Sequence, residues 1–498
     1  MVYGVLLFTP LCNSLSLWAQ EPGTIKKTEI LTDTFSSSSF GFFVKQYNDT
    51  SFVVSSRKSS QSVLNFFRLS NNEVSSVFRI SRNMGGFGDF DISDNTFGNS
   101  MEVLNDINGD GILRDIVVGT PSANGFWLNS GGLWFLSLNE EGEVIKQRRL
   151  ADTTPGLGHL NNSTYFGFSI ANLGDIDGNG YDDIAVGAPL QNTSSSDNGS
   201  VYIILLEKDG AIKSLSRIND SHFFITRSLR GFGYSVVNMG DIDGDGINDL
   251  AVSEASNRTI WLLLMNADGT LKGTREISPG KNGLPASMDL TSNFGRCITN
   301  MGDMDGDGVS ELAIGEQTYV PEDSTGVMHG RVWIFFFDSN GSVKKTIEIK
   351  NQTPGFTGNI SDRDRFGYAV ARIPDMDGDG APELAIGVPA SEPNGKVYIL
   401  YLNGIPQTGI STPKPEHLSA TLYPNPAQNH VQLALEPAPK SRFVVSVWSL
   451  NGQKVWEWNL EPQPNSYSLT LPATLNTGIY FFKIQTPSGT LVKKVGIH

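Results

Sequence analysis

Residues 232–255 read FGYSVVNMGDIDGDGINDLAVSEA, and four variants of the phrase stand elsewhere in the chain. They are FGNSMEVLNDINGDGILRDIVVGTP at 97–121, FGFSIANLGDIDGNGYDDIAVGAP at 166–189, FGRCITNMGDMDGDGVSELAIGEQ at 294–317 and FGYAVARIPDMDGDGAPELAIGVP at 366–389. In every copy the opening Phe stands nine residues before the first loop aspartate. Those aspartates, Asp106, Asp175, Asp241, Asp303 and Asp375, are spaced by 69, 66, 62 and 72 residues. A sustained period of this kind means units that bury a shared core against their neighbours. Each copy is followed by an apolar run, a turn and a second run, as in GSVYIILLEKDGAIKSLSRI, RTIWLLLMNADGTLKGTREI and GRVWIFFFDSNGSVKKTIEI. The Asp-Gly pairs at 209 and 268 and the Asn-Gly pair at 340 supply the positive φ of tight hairpins. One period therefore holds four short strands.

Four strands per period, radially repeated, are a blade of a β-propeller. A sixth, degenerate copy opens at Phe40-Gly41, nine residues before Asp49, and runs straight into FVVSS, with LNFFRLSNNEVSSVFRI as its hairpin. That blade has no metal loop. The last copy stops after GKVYILYLNG, before its outer strand, while GTIKKTEIL at 23–31 resembles VKKTIEI at 343–349. The N-terminal strand is thus expected to complete the final blade and remove the exposed edge of an open sheet. Residues 21–404 are expected to form an all-β, six-bladed propeller. Seven blades follow instead if the stretches near 81–96 or 278–293 hide a further strand set.

The 498 residues exceed one small core and allow two or three folding units. With 53 Gly, 24 Pro, 10% aromatics and 18% charged residues, short strands and turns are favoured over long charged helices. The net charge of -15, with no basic stripe, argues against nucleic acid or anionic lipid as partner. Residues 1–20 have the length and apolar content of a cleaved export signal, although no Lys or Arg precedes the apolar stretch. Cleavage removes Cys12 and leaves Cys297, so no internal disulfide is expected in the mature chain. No later apolar run approaches the ~20 residues of a membrane span.

Within each repeat the pattern D-x-[DN]-x-[DN]-G-x-x-[DE] sets oxygen side chains at positions 1, 3, 5 and 9, with a backbone carbonyl at position 7. Hard cations such as calcium take six to eight oxygens from such loops, and the loops contain no His or Cys for zinc. The second loop offers Asp175, Asp177, Asn179, Tyr181 (carbonyl) and Asp183. The third offers Asp241, Asp243, Asp245, Ile247 (carbonyl) and Asp249; the fourth Asp303, Asp305, Asp307, Val309 (carbonyl) and Glu311; the fifth Asp375, Asp377, Asp379, Ala381 (carbonyl) and Glu383. In the first, Asp106, Asn108, Asp110 and Ile112 (carbonyl) are in register, but an extra residue puts Arg114 at position 9 and Asp115 at position 10. Asp and Gly also favour plain turns. Three or four carboxylates within nine residues repel one another strongly, however, and five such loops make up to five structural calcium ions the expectation.

The FG opening, the DxDGDGxxD loop and the GTP, GAP and GVP ends resemble the FG-GAP repeats of integrin α-subunit propellers, over most of residues 40–404. The resemblance implies a calcium-binding propeller that meets extracellular partners. No metal constellation of an inserted ligand-binding domain is present, so integrin ligand preferences do not carry over.

After a Pro/Ser/Thr-rich linker at 405–417 the pattern changes. Residues 418–498 read as about seven short strands with turns at Asn451-Gly452 and Ser488-Gly489, which fits an immunoglobulin-like sandwich. Tyr423-Pro424-Asn425-Pro426, the S-L-N-G-Q-K-V hairpin, L-x-x-G-I-Y-F-F-K-I and the terminal K-K-V resemble the type A sorting domain of bacterial type IX secretion. That resemblance implies a partner in the secretion machinery and a product released from, or attached to, the outer cell surface.

No nucleophile elbow, HExxH or phosphate-cradling loop occurs. His222 and His329 read as surface or packing residues. Glu254 and Glu316 share one repeat position in neighbouring blades, where other copies have Thr120, Ala188 and Val388. They are the weak candidates for paired acid/base chemistry, against the plainer reading of solvated or backbone-bonded glutamates at strand ends. The leading expectation is a non-enzymatic binding or adhesion module for an extracellular protein or glycan; the alternative is a secreted polysaccharide-active glycosidase or lyase on a propeller scaffold.

Overall fold

The computed structural model describes residues 21–404 and 419–497 apart from short internal stretches, the longest being 33–38, 89–95, 110–114, 192–197, 322–326 and 437–441. The export-signal segment 1–20 and the linker 405–417 lie outside the described residues, as do Pro424-Asn425-Pro426 and Asn451-Gly452. The chain forms two compact units, Met1–Pro406 and Gln407–His498.

Among the described residues the first unit holds six four-stranded antiparallel sheets. From innermost to outermost strand, the first runs Phe43–Asn48, Ser51–Lys58, Gln61–Ser70 and Glu73–Ile80. The second runs Ser100–Leu104, Asp115–Gly119, Gly132–Leu138 and Val144–Ala151, and the third Ser169–Gly174, Asp183–Ala188, Ser200–Glu207 and Ala211–Ile218. The fourth runs Phe232–Gly240, Asp249–Glu254, Thr259–Met265 and Leu271–Ile277, and the fifth Phe294–Gly302, Glu311–Glu316, Arg331–Phe337 and Val343–Ile349. In the sixth, Ala369–Ile373, Glu383–Val388 and Lys396–Leu402 are joined by Ile25–Thr32 from the start of the chain, in register from Ile25 opposite Leu402 to Thr32 opposite Lys396. The innermost strands neighbour one another in cyclic order, the sixth meeting the first, so the ring of a β-propeller is closed by the N-terminal strand. In the degenerate first copy Asn48 and Ser51 are joined by a bare turn. Residues 278–291 contain turns and no strand.

Burial explains the sequence pattern. A sheet packed on both faces needs apolar side chains at consecutive positions, and the second strands, such as Glu311–Glu316 and Asp183–Ala188, are buried throughout. Outermost strands have one wet face and alternate accordingly, as in Leu271–Ile277. Buried apolar clusters lie between neighbouring sheets; one joins Leu133 and Phe135 to Phe166, Val186 and Tyr202. Another joins Phe40, Phe52 and Val54 of the first sheet to Val397, Ile399 and Tyr401 of the sixth.

The FG and GAP elements of the motif meet each other. The FG glycines take positive φ, 86° at Gly167 and 83° at Gly367, which turns the chain into the innermost strand. The carbonyls of Gly167, Gly233, Gly367 and Gly41 then lie against Gly119, Gly187, Gly315 and Gly387 of the preceding sheets, where a Cβ would collide with them. In the fourth sheet Ser253 stands in that place, its hydroxyl accepts from the Ser235 backbone, and the pairing of the innermost strand bulges between Phe232 and Val236. Turn expectations are met at Asp209, φ 63°, Gly269, φ 76°, and Gly341, φ 71°.

The second unit is the expected sandwich. Ser419–Tyr423, His430–Glu436 and Ser466–Thr470 form one sheet; Lys454–Leu460, Phe443–Ser449, Gly478–Thr486 and Gly489–Ile497 form the other. Val431, Leu433, Tyr467 and Leu469 pack with Val445, Val447, Phe482 and Ile484 between them.

Candidate metal centres

Each acidic loop joins the first and second strands of its sheet, and its own side chains wind it. Asp241 accepts from the backbone of Gly244 (2.6 Å), Asp245 (3.0 Å) and Gly246 (2.7 Å). Asp303 does the same for Gly306, Asp307 and Gly308, Asp375 for Gly378 and Gly380, and Asp175 for Asn179 and Gly180. At position 5, Asn179, Asp245, Asp307 and Asp379 accept from the N–H of Tyr181, Ile247, Val309 and Ala381. The position-9 acid opens the second strand, and in the second and third loops it ties the loop to the third strand: Asp249 accepts from Ile242 (2.8 Å) and Met265 (2.9 Å), and Asp183 from Ile176 (3.0 Å) and Leu206 (2.8 Å).

Positions 1, 3 and 9 converge. Asp175, Asp177 and Asp183 offer oxygens within 4.8 Å of one another, as do Asp241, Asp243 and Asp249, Asp303, Asp305 and Glu311, and Asp375, Asp377 and Glu383. The position-5 residues stand outside these acidic triads. The four position-9 carboxylates are fully buried. Burial, reinforced by the loop aspartates, pushes Asp183 and Asp249 up to about 6, Glu383 up to about 7 and Glu311 up to about 8, against the pull of their backbone donors. Glu311 Oε1 and Asp305 Oδ1 are buried without a hydrogen-bond partner. A buried carboxylate oxygen aimed at two more carboxylates is costly unless a cation completes it. An all-oxygen donor set of this kind suits a hard divalent ion.

In the first loop Asp110 and Ile112 lie outside the described residues. Asp106 accepts from Gly109 (2.6 Å), and Asp115 is fully buried and accepts from Ile107 (3.1 Å) and Leu138 (3.3 Å). Asp115 thus makes the bonds to the loop and to the third strand that Asp183 and Asp249 make in their own sheets.

The glutamate pair is neither solvated nor backbone-bonded alone. Glu254 and Glu316 are fully buried. Glu254 accepts from Arg227 (2.5 Å), Trp261 (2.9 Å), the Arg230 backbone (2.9 Å) and Asn257. Glu316 accepts from Arg331 (2.6 Å), Trp333 (2.8 Å) and the Thr291 backbone. Each carboxylate is held by donors from its own sheet and the loop leading into it. In the ring's central channel the innermost strands enclose a cavity of about 90 Å³, whose lining includes Lys45, Arg296 and Cys297 and no Asp, Glu or His among the described residues. Within that lining the Arg296 guanidinium lies over Phe168, Tyr234 and Tyr368, 5.1–5.8 Å from the ring centres.

An asparagine ladder escaped the sequence reading. Asn172, Asn238 and Asn300 donate to the carbonyls of Val103, Asn172 and Asn238 in the preceding sheets, each at 2.9 Å, and accept from the glycine two residues on. The signal was present as N-x-G-D before three of the loops.

Comparison with known proteins agrees with this geometry. Residues 166–204 and 366–400 match the FG-GAP repeat, residues 241–314 the FG-GAP-like repeat, and residues 421–498 the secretion system C-terminal sorting domain. The chain carries FG-GAP repeats and a C-terminal sorting domain. The FG-GAP part is similar to integrin alpha-4 of Xenopus laevis, 31% identical over 30% of this chain and 14% of that protein. It is also similar to integrin alpha-PS2 of Drosophila melanogaster, 27% identical over 50% of this chain and 17% of that protein, and to mouse integrin alpha-IIb, 37% identical over 31% and 14%. The chain thus spans less than a fifth of the length of these relatives. The sorting domain indicates export by type IX secretion to the cell surface or beyond. Among the described residues no helix is long and apolar enough to cross a membrane.

Proposed function

We propose that this chain is a calcium-stabilised, six-bladed propeller that acts outside the cell as a binding or adhesion module for a protein or glycan. In this reading residues 1–20 are the export signal, 21–404 the propeller, 405–417 the linker and 418–498 the sorting domain. The observation that carries the calcium part is the buried, partnerless Glu311 Oε1 in a carboxylate that converges with those of Asp303 and Asp305. Positions 1, 3, 5 and 9 of the second to fifth loops would hold the ions, with the carbonyls of Tyr181, Ile247, Val309 and Ala381; Asp106, Asn108, Asp110, Ile112 and Asp115 would hold a fifth. The ion supplies positive charge that lets the acids stay ionised while buried. The chain's own part is to wind the loop on position 1 and, through Asp183, Asp249 and Glu383, to anchor it to the third strand. The binding role is supported by the kinship of the repeats, by export to the surface, and by glutamates at 254 and 316 whose bonds are already taken.

Thermal unfolding in EDTA and then in calcium tests the first part. Calcium at 100 times its Kd adds about 2.7 kcal/mol per site to the folded state, so the melting temperature should rise clearly. An unchanged curve would sink the calcium reading. A glycan array and a panel of extracellular matrix proteins test the second: retention without product release supports a binding module, and depolymerisation would make the chain an enzyme.

A further inference from the structure

The second to fifth loops, whose acids converge, share a feature. Lys213 Nζ lies 2.7 Å from Asp177, and Lys272 Nζ lies 2.6 Å from both Asp243 and Asp245. Lys344 Nζ lies 2.8 Å from Asp305 and also pairs with Asp307, while Lys26 Nζ lies 3.2 Å from Asp377 and also pairs with Asp379. All four lysines come from the outermost strand of the same sheet as their loop, at one register. The partners of Leu206, Met265, Phe337 and Leu402 are Ile212, Leu271, Val343 and Ile25, and the lysine follows immediately. In the second sheet Leu138 pairs with Val144, so the same place falls to Ile145, which is 57% exposed. That sheet carries the loop with Asn108 and the inserted residue. Four coincidences of strand register, charge and loop type, with a matched exception, are not what a generic solvated lysine produces.

Resting on the calcium reading above, we propose that Lys26, Lys213, Lys272 and Lys344 are resident counter-cations that compete with calcium for the position-3 and position-5 side chains and set the affinity of each loop. Each ammonium touches a position-3 carboxylate that also belongs to the converged triad, so metal and lysine draw on the same carboxylates. One positive charge offsets part of the repulsion among three or four acids, which allows the sheets to close before calcium is met. A divalent ion offsets more of it and frees the ammonium to solvent at the outer rim. The lysines are between 20% and 40% exposed, so release into water is open to them.

The test uses the full chain with Lys272→Met and Lys344→Met singly, the quadruple Lys→Met variant, and Lys272→Arg, which keeps the charge. Calcium titration by calorimetry should show roughly threefold tighter binding at each altered loop. Melting in EDTA should fall from wild type through the single to the quadruple variant, while melting in saturating calcium stays at the wild-type value. Lys272→Arg should match wild type in both. A quadruple variant that folds only with calcium present supports the proposal. Unchanged or weaker calcium binding in the single variants, with wild-type binding intact, overturns it and leaves the calcium reading standing. A wild-type chain that binds no calcium overturns both.

Discussion

The position-9 carboxylate shows how one side chain can both hold a fold together and strain it. Asp183, Asp249, Glu311 and Glu383 start their strands fully buried, and burial raises them to values from about 6 to about 8. The folded chain without calcium therefore binds more protons than the unfolded chain from pH ~4 up to those values, and its stability must fall as pH rises across that window. Calcium favours the ionised acids, so binding releases protons and tightens over the same range. Melting in EDTA should decline from pH 5 to pH 8 and melting in calcium should not; an EDTA curve that climbs would contradict the assignment. Glu316 makes the opposite case. Its partners are already in place, so Glu316→Ala leaves Arg331 buried with one ion pair fewer and should cost about 3 kcal/mol in urea unfolding. Ligand binding by the folded fraction should be unchanged. The sequence showed that two glutamates occupied equivalent positions; that each had a tryptophan from its own sheet and an arginine, Arg331 from the sheet and Arg227 from the loop leading into it, was visible only in three dimensions.

At the scale of the element, the repeat phrase is a device for locking one sheet to the next. The carbonyls of the FG glycines Gly41, Gly167, Gly233 and Gly367 occupy the space that a side chain on Gly387, Gly119, Gly187 and Gly315 would fill. Gly315→Ala should therefore push the Gly367 backbone away and cost roughly 2–3 kcal/mol, more than an alanine on an exposed strand, measurable in the same urea titration. A cost within a few tenths of a kcal/mol would mean that the contact is slack. The loops were legible from residue spacing because turn formation and the gathering of their acids are both local. The asparagine ladder was harder, since Asn172, Asn238 and Asn300 bond across sheets to residues 62 to 69 positions earlier in the chain.

For the whole molecule, closure is the decisive fact. Ile25–Thr32 adds the outermost strand of the sixth sheet, Ile25 packs with the cluster between the fifth and sixth sheets, and Leu31 with that between the sixth and first. Removing residues 21–32 opens the edge of Lys396–Leu402 and takes an apolar residue from two clusters. The truncated chain should aggregate or elute at a larger apparent mass than the full chain in size-exclusion chromatography, and a peptide of residues 21–32 added during refolding should restore part of the full-chain elution. A truncated chain that elutes and melts as wild type would show that closure by this strand contributes little.

Taken alone, the order of residues determined the repeat, the strand-rich class, the acidic loops, the closing strand and the sandwich that follows, because each is written in periodicity or in spacing within a few residues. Tertiary structure decided which acids converge, how Asp115 is brought back into register, what surrounds Glu254 and Glu316, and which lysines reach the loops. Those outcomes depend on strand register and on contacts between sheets, where a displacement of one residue along a strand reverses the direction of every side chain.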